Sequence, residues 1–148
     1  MEEDGTAKAV MDSIGSDLNK TSSHYIGVGG QASQTAAEIL ECVAMVGSVD
    51  AYNSGLSDAL VSGINSREAL VTHAIQQGVD EASLNNCIDN GDSKPTVERK
   101  FARGRDGFGI TGTPGNVIIN NNTGEYEIIS GAYPAAAFEE VINRMLAQ

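Results

Sequence analysis

The spacing of hydrophobic positions along the chain changes near Gly107 from mainly helical to strand-like. Before that residue, apolar side chains recur every three to four positions, which is the period of amphipathic helices. Ser66 and Asp80 are suitable N-caps, and Gly78 suits a left-handed C-cap. His24–Val28 alternates and predicts a short strand. The predicted helices cover about residues 6–18, 33–46, 49–61, 66–77, 81–90 and 95–105.

After Gly107 the period becomes two, which is typical of strands. Val117–Ile119 and Tyr126–Ile129 are predicted to form a hairpin, because Asn121–Gly124 has the Asn and Gly residues of a turn. A last amphipathic helix begins at Pro134. The fold class is therefore α/β with two or three strands. Since that is a small sheet for 148 residues, we expect a strand from outside this sequence to complete it.

Charge and composition exclude several functions. The net charge is -11, from 20 acidic and 9 basic residues, which disfavours a nucleic-acid partner. No apolar run reaches the roughly eighteen residues that span a membrane. His24 and His73 look isolated, and without a Cys or His cluster no metal site is expected. No Gly-x-Ser-x-Gly turn supports a hydrolase.

The N-terminus and the cysteines leave alternatives open. Met1–Asp4 is acidic and polar, which is not a signal peptide, so the protein is cytoplasmic or a leader and more were removed. Cys42 and Cys87 lie 45 positions apart on predicted helices, and neither has a Cys-x-x-Cys partner. They are two separate buried thiols, a bridged pair, or a pair of which one is catalytic.

One motif, Gly109–Pro114, precedes the first hairpin strand. An X-Pro bond at a strand start is a natural place for a cis peptide, although a trans proline in a plain turn is the alternative. Because proline cannot donate to a sheet ladder, Thr113 before it is expected to present an unpaired backbone N–H and C=O. An extended peptide could dock there by strand addition.

Four stretches resemble the DsbA-like branch of the thioredoxin superfamily: Gly109–Asn120, Thr123–Pro134, Ala36–Cys42 and Leu84–Ile88. The resemblance implies a thioredoxin-like fold with a helical insertion domain and an incomplete central sheet. In that arrangement residues 1–30 are the remnant of the N-terminal thioredoxin half, residues 31–106 the helical insertion, and residues 107–148 the C-terminal half.

The resemblance also implies a function, which is thiol–disulfide exchange on unfolded or cysteine-containing client proteins. By analogy Gly112, Thr113 and Pro114 hold the client, and Cys42 and Cys87 form a structural disulfide. Such a bond implies an extracytoplasmic location, periplasmic or in the cell envelope. No cofactor or metal is expected, and a membrane redox protein is a further candidate partner.

The chain departs from this family in its catalytic motif. The Cys-Pro-x-Cys dithiol is absent, so no catalytic residue is predicted in this chain, and it is expected to be inactive as it stands. Truncation, an incomplete reading frame and true loss in a pseudoenzyme all explain this. Gly115–Asn116 replaces a bulky pair and predicts a more open loop. The alternative functions are a non-catalytic thioredoxin-fold peptide-binding module and a glutathione-transferase-like relative.

Overall fold

The computed structural model describes residues 2–148, and over these residues the chain is a mixed α/β protein. The α/β class is therefore confirmed, whereas the thioredoxin-like arrangement stays a prediction. Short 3-10 and π-helical turns follow the first and sixth helices, at Gly15–Asp17 and Arg103–Gly107. The helices are α1 (Glu2–Ile14), α2 (Gly30–Val46), α3 (Val49–Ser62), α4 (Arg67–Gln76), α5 (Glu81–Asn90), α6 (Lys94–Ala102) and α7 (Ala135–Leu146), and the strands are β1 (Gly115–Ile119) and β2 (Tyr126–Ser130).

The chain divides into two compact units. The helical unit is Ser22–Gly107, and the terminal unit combines the residues up to Thr21 with Phe108–Gln148. The terminal unit is therefore discontinuous in sequence, and the helical unit is inserted into it. The three segments implied by the family resemblance stay a prediction.

Helix α2 is the centre of the helical unit. Its side chains Ile39, Leu40 and Val43 are almost completely buried, because α2 contacts α3, α4, α5 and α6. Full burial of an aliphatic side chain of this size contributes about 1.5–3 kcal/mol. The wide apolar stripe of α2 thus forms the core on which the other helices assemble.

Side-chain caps define the starts of three helices. The predicted caps Ser66 and Asp80 are confirmed, since Ser66 accepts a hydrogen bond from Ala69 N–H at 3.3 Å and Asp80 from Ser83 N–H at 2.9 Å. Ser48 caps α3 in the same way. These bonds satisfy N–H groups that have no partner within the helix.

We expect Asp80→Ala to lower the free energy of unfolding of the helical unit by about 1 kcal/mol, because it removes the α5 cap. Hydrogen bonds from Ser83 N–H and Oγ also hold the pKa of Asp80 below its usual value. Urea denaturation of Asp80→Ala measures the loss. Asp80→Asn keeps a capping oxygen and should retain most of the stability; equal losses in both variants would contradict the capping role.

The terminal unit is built on the β1–β2 hairpin and α7. The strands pair antiparallel, from Gly115 opposite Ser130 to Ile119 opposite Tyr126. One face of the hairpin packs on α7. The amide of Asn120 donates to the C=O of Met145 at 2.9 Å, which ties the hairpin turn to the end of α7. The apolar contacts on this face are made by Ile118, Ile129, Phe138, Val141 and Met145.

The predicted strand at His24–Val28 is wrong, because this segment is an irregular loop and turn. Its alternation has a different cause. The Tyr25 ring packs on the Phe101 ring, with centroids 5.1 Å apart, and His24 is partly buried in the helical unit. In the described residues no strand lies beside this segment to pair with it.

Candidate functional site

The residues predicted to hold a client lie together at the start of β1, in the proline loop (Gly109–Pro114). The peptide bond between Thr113 and Pro114 is cis. Thr113 is exposed, whereas Gly112 and Pro114 are half-buried. The C=O of Pro114 accepts a hydrogen bond from the N–H of Gly131 at 2.8 Å, which fixes the proline beside the end of β2.

The ladder register decides which backbone groups of β1 face outward. Pro114 and Asn120 bond across the hairpin at its two ends, to Gly131 and Glu125. Because backbone groups alternate between the two sides of a strand, even-numbered residues of β1 bond to β2. The odd-numbered residues Gly115, Val117 and Ile119 therefore turn their N–H and C=O away from β2. Thr113 is also an odd-numbered residue, and no strand of the described residues pairs along this outer edge of β1.

A buried isoleucine anchors the proline loop. Ile110 is 6 % exposed, and a Cβ at Gly115 would lie 2.6 Å from its Cγ2 atom. Gly109 has φ +69°, which lets the chain turn before Ile110. Ile110 thus fills the space that a bulky residue at position 115 would need. The loop is therefore less open at this position than the absence of a bulky pair predicts.

We expect Gly115→Ala to destabilise the terminal unit by about 2 kcal/mol, because its methyl group overpacks Ile110. Gly112→Ala is the matched control, since a Cβ at Gly112 meets nothing within 4 Å. Thermal unfolding of both variants measures the difference. If Gly112→Ala lost as much stability as Gly115→Ala, the packing of Ile110 would not be the cause.

The hairpin face opposite α7 is apolar and half exposed. It presents Val117, Ile119, Tyr126 and Ile128. Ile119 is 40 % exposed and Tyr126 51 %, and the Tyr126 ring packs edge-on against Phe108 at 5.2 Å between centroids. Since Gly115 lies on the same face, this surface continues from the proline loop along β1.

The two cysteines of the chain are bonded to each other. The Cys42–Cys87 disulfide joins α2 to α5, with 5.8 Å between the Cα atoms. Cys42 is 0 % exposed and Cys87 3 %. Thiol–disulfide exchange needs an accessible sulfur and a thiolate. The disulfide therefore has a structural role in the helical unit, and in the folded state its sulfur atoms are not accessible to a client.

A buried polar cluster in the helical unit was missed by the sequence analysis. Glu41, 4 % exposed, forms an ion pair with Lys100, whose Nζ lies 2.5 Å from Oε1. Lys100 also lies over the Tyr52 ring, 5.4 Å from its centroid. Burial and then the charge of Glu41 raise the pKa of Tyr52 to about 12. The one hint in the sequence was Glu41 itself, a carboxylate within the apolar stripe of α2.

His24 completes this cluster. Burial, together with the positive charge of Lys100, lowers the pKa of His24 to about 4. Its Nδ1 atom is buried and has no hydrogen-bond partner within the described part of the chain. The surroundings of His24 therefore favour the neutral form of its imidazole.

Over the side chains that the structure describes, no group of three or more His, Cys, Asp or Glu residues is placed to hold a metal ion. Among the described helices none combines the length and the apolar character required to cross a bilayer. Comparisons of the chain with protein-family models, with curated proteins and with solved structures find no match.

Proposed function

We propose that this chain is the client-binding part and helical insertion of a DsbA-like thiol–disulfide oxidoreductase whose catalytic dithiol lies outside this sequence. The observation that carries the proposal is the outward-facing backbone at the start of β1. There Thr113 is exposed and precedes a strand whose odd-numbered backbone groups face away from β2. A client in extended conformation could hydrogen-bond to the N–H and C=O of Thr113.

The reaction defines what this chain would contribute. A thiolate attacks one sulfur of a disulfide, the other sulfur leaves with the bonding electrons, and a mixed disulfide forms. The attacking sulfur is not supplied by Cys42 or Cys87, because both are buried in their mutual bond. The proline loop would hold the client backbone, so that its cysteine is positioned for the dithiol.

Two features of the chain agree with this role. The helical unit is inserted into the sequence of the terminal unit, as expected of an insertion domain. A buried disulfide is also most common in proteins that fold in oxidising compartments, which favours an extracytoplasmic location. From Gly115 onward, the outer edge of β1 would pair with the strand that precedes the dithiol and thereby complete the sheet, while Thr113, which precedes β1, would stay available to the client.

Peptide binding at the proline loop tests the proposal on the chain itself. An unlabelled extended peptide with one cysteine is added to the 15N-labelled protein. We expect amide shifts at Thr113 and Gly115, with little change in the helical unit. The same peptide N-methylated at alternate residues cannot add as a strand and should not bind. Equal binding by both peptides, or shifts confined to the helical unit, would refute the proposal.

The alternative is a non-catalytic peptide-binding module, and the exposed apolar hairpin face favours it. The module would bind peptide at the same loop but would have no dithiol. Sequencing the gene upstream of codon 1 separates the two functions. An in-frame strand followed by Cys-x-x-Cys supports the oxidoreductase, whereas a stop codon directly upstream supports the module. An insulin-reduction assay of this chain should show no turnover in either case.

A further inference from the structure

Three polar side chains form a chain of contacts between α3 and α4, in the helical unit. Ser54 and Asp58 lie one turn apart on the same face of α3, and His73 reaches them from α4. Ser54 Oγ lies 3.0 Å from His73 Nε2, and Asp58 Oδ2 lies 2.9 Å from His73 Nδ1. His73 was predicted to be isolated, and this prediction is wrong, because its ring contacts both Ser54 and Asp58.

The carboxylate decides the roles of the two ring nitrogens. Asp58 accepts a hydrogen bond from Nδ1–H, so a neutral His73 has its lone pair on Nε2. That lone pair can accept the hydroxyl proton of Ser54. A serine next to a base, which a third group orients, is the arrangement of an activated nucleophile.

Close packing holds the three groups in place. A Cβ at Gly55 would lie 2.6 Å from Leu40 Cδ2 and 3.8 Å from His73 Cδ2, so the bare Cα of Gly55 lets α3 approach α2 and the imidazole. His73 is 17 % exposed and Asp58 41 %. The ring is therefore confined, while its surroundings stay open to a small molecule.

An open concavity adjoins this cluster on α4. It brings solvent to the His73 and Asp58 side of the cluster, and Ser54 itself is half-buried. Ser54 is not among the residues that line the concavity. A compound there would have to reach the half-buried hydroxyl beside His73, so we expect only a small acyl compound to react, and not a folded protein substrate. The concavity is lined by residues of α3, α4 and the segment between them, among which are Asp58, Ile64, Ser66, Glu68, Thr72 and His73.

We propose that Ser54 is an acylation site that accepts an acyl group from small carboxylic esters, with His73 as its general base and Asp58 as the residue that orients the base. The Oγ atom attacks the ester carbonyl carbon while its proton passes to Nε2. The tetrahedral intermediate then releases the alcohol oxygen, which leaves with the electrons of its bond to carbon and takes the proton from His73. The products are O-acyl-Ser54 and the free alcohol.

The backbone around Ser54 limits the reaction to activated esters. Ser54 lies inside α3, where backbone N–H groups donate to C=O groups of the same helix. They are not free to stabilise an oxyanion, and a single lost donor of that kind costs about 10²–10³ in rate. We therefore expect one acyl group to be transferred and retained, without rapid turnover.

Acetylation by p-nitrophenyl acetate tests the proposal on the full chain. The acetylated residues are identified by peptide mass spectrometry after brief exposure, and nitrophenol release is followed by absorbance. We expect acetyl-Ser54 as the main serine product. Asp58→Asn should slow its formation roughly a hundredfold, because His73 is then no longer oriented as the general base. Ser54→Ala should abolish the product, and Ser62→Ala, on the same helix, should leave it unchanged.

A second measurement does not depend on the fold of the variants. Long-range 1H–15N NMR of the wild type should report His73 as the Nδ1–H tautomer. The Nε2–H tautomer would overturn the proposal, because Nε2 could then not accept the serine proton. Acetylation of Ser54 at the rate of Ser62, or at an unchanged rate in a folded Asp58→Asn variant, would overturn it as well.

Discussion

Replacing both cysteines, in the variant Cys42→Ala/Cys87→Ala, should lower the free energy of unfolding of the helical unit by about 4 kcal/mol. The disulfide closes a loop across 45 positions of sequence, and a loop of that length restricts the unfolded chain by roughly this amount. The bond also joins α5 to α2, on which the other helices pack. Urea denaturation followed by far-UV circular dichroism measures the loss, since most of the helical signal comes from this unit.

The reduced wild type is the control that separates the cross-link from the packing of the sulfur atoms. Substitution by alanine removes buried sulfur and leaves small cavities, whereas reduction leaves both side chains in place. If the cross-link dominates, the reduced wild type should unfold close to the double variant. Coincident unfolding curves for the oxidised and reduced wild type would contradict the prediction.

The burial of the disulfide makes a kinetic difference as well. Because Cys42 and Cys87 are almost unexposed, a reductant reaches the bond only when the unit opens. Under native conditions we therefore expect the rate of disulfide reduction to be limited by the opening rate of the helical unit. At high concentrations of reductant, the rate should no longer depend on the reductant concentration. A disulfide that exchanges with clients would react at the surface, in proportion to reductant.

Local signals explain why most helices and the hairpin could be predicted. A cap such as Ser66 or Asp80 acts on an N–H three residues away, so its whole mechanism lies within a short window of sequence. The turn at Asn121–Gly124 is equally local, because Asn120 Oδ1 accepts from the N–H of Asn122 at 2.9 Å. The proline loop was predicted for the same reason, as Thr113 and Pro114 are adjacent to the strand they start.

Contacts between distant segments explain what the sequence did not reveal. The residues of His24–Val28 alternate as those of a strand do. The alternation has another cause, because the Tyr25 ring packs on the Phe101 ring. Ser54 and Asp58 show only the spacing of one helical turn, and their base comes from His73, fifteen or more positions away. Glu41 and Lys100 are further apart still. Such pairs depend on how helices pack, which periodicity within one helix does not determine.

Lowering the pH from 6.5 to about 4 should destabilise the helical unit through His24. The folded protein holds a neutral imidazole, because burial and the charge of Lys100 lower the pKa of His24 from 6.5 to about 4. Above pH 6.5 the ring is neutral in both states and contributes no pH dependence. Between pH 6.5 and 4 the unfolded chain binds a proton that the folded protein does not. The free energy of unfolding therefore falls as the pH is lowered. At about 1.4 kcal/mol per pH unit, the total loss is up to about 3 kcal/mol.

The variant His24→Gln isolates this contribution. Its side chain cannot take up a proton in either state, whereas the carboxylates that also titrate in this range are unchanged. The difference in unfolding free energy between wild type and variant, measured by urea denaturation at pH 7, 6, 5 and 4, should therefore shift steadily against the wild type as the pH falls. A difference that stays constant from pH 7 to 4 would show that the imidazole has the same pKa in both states, and that its burial beside Lys100 costs nothing on protonation.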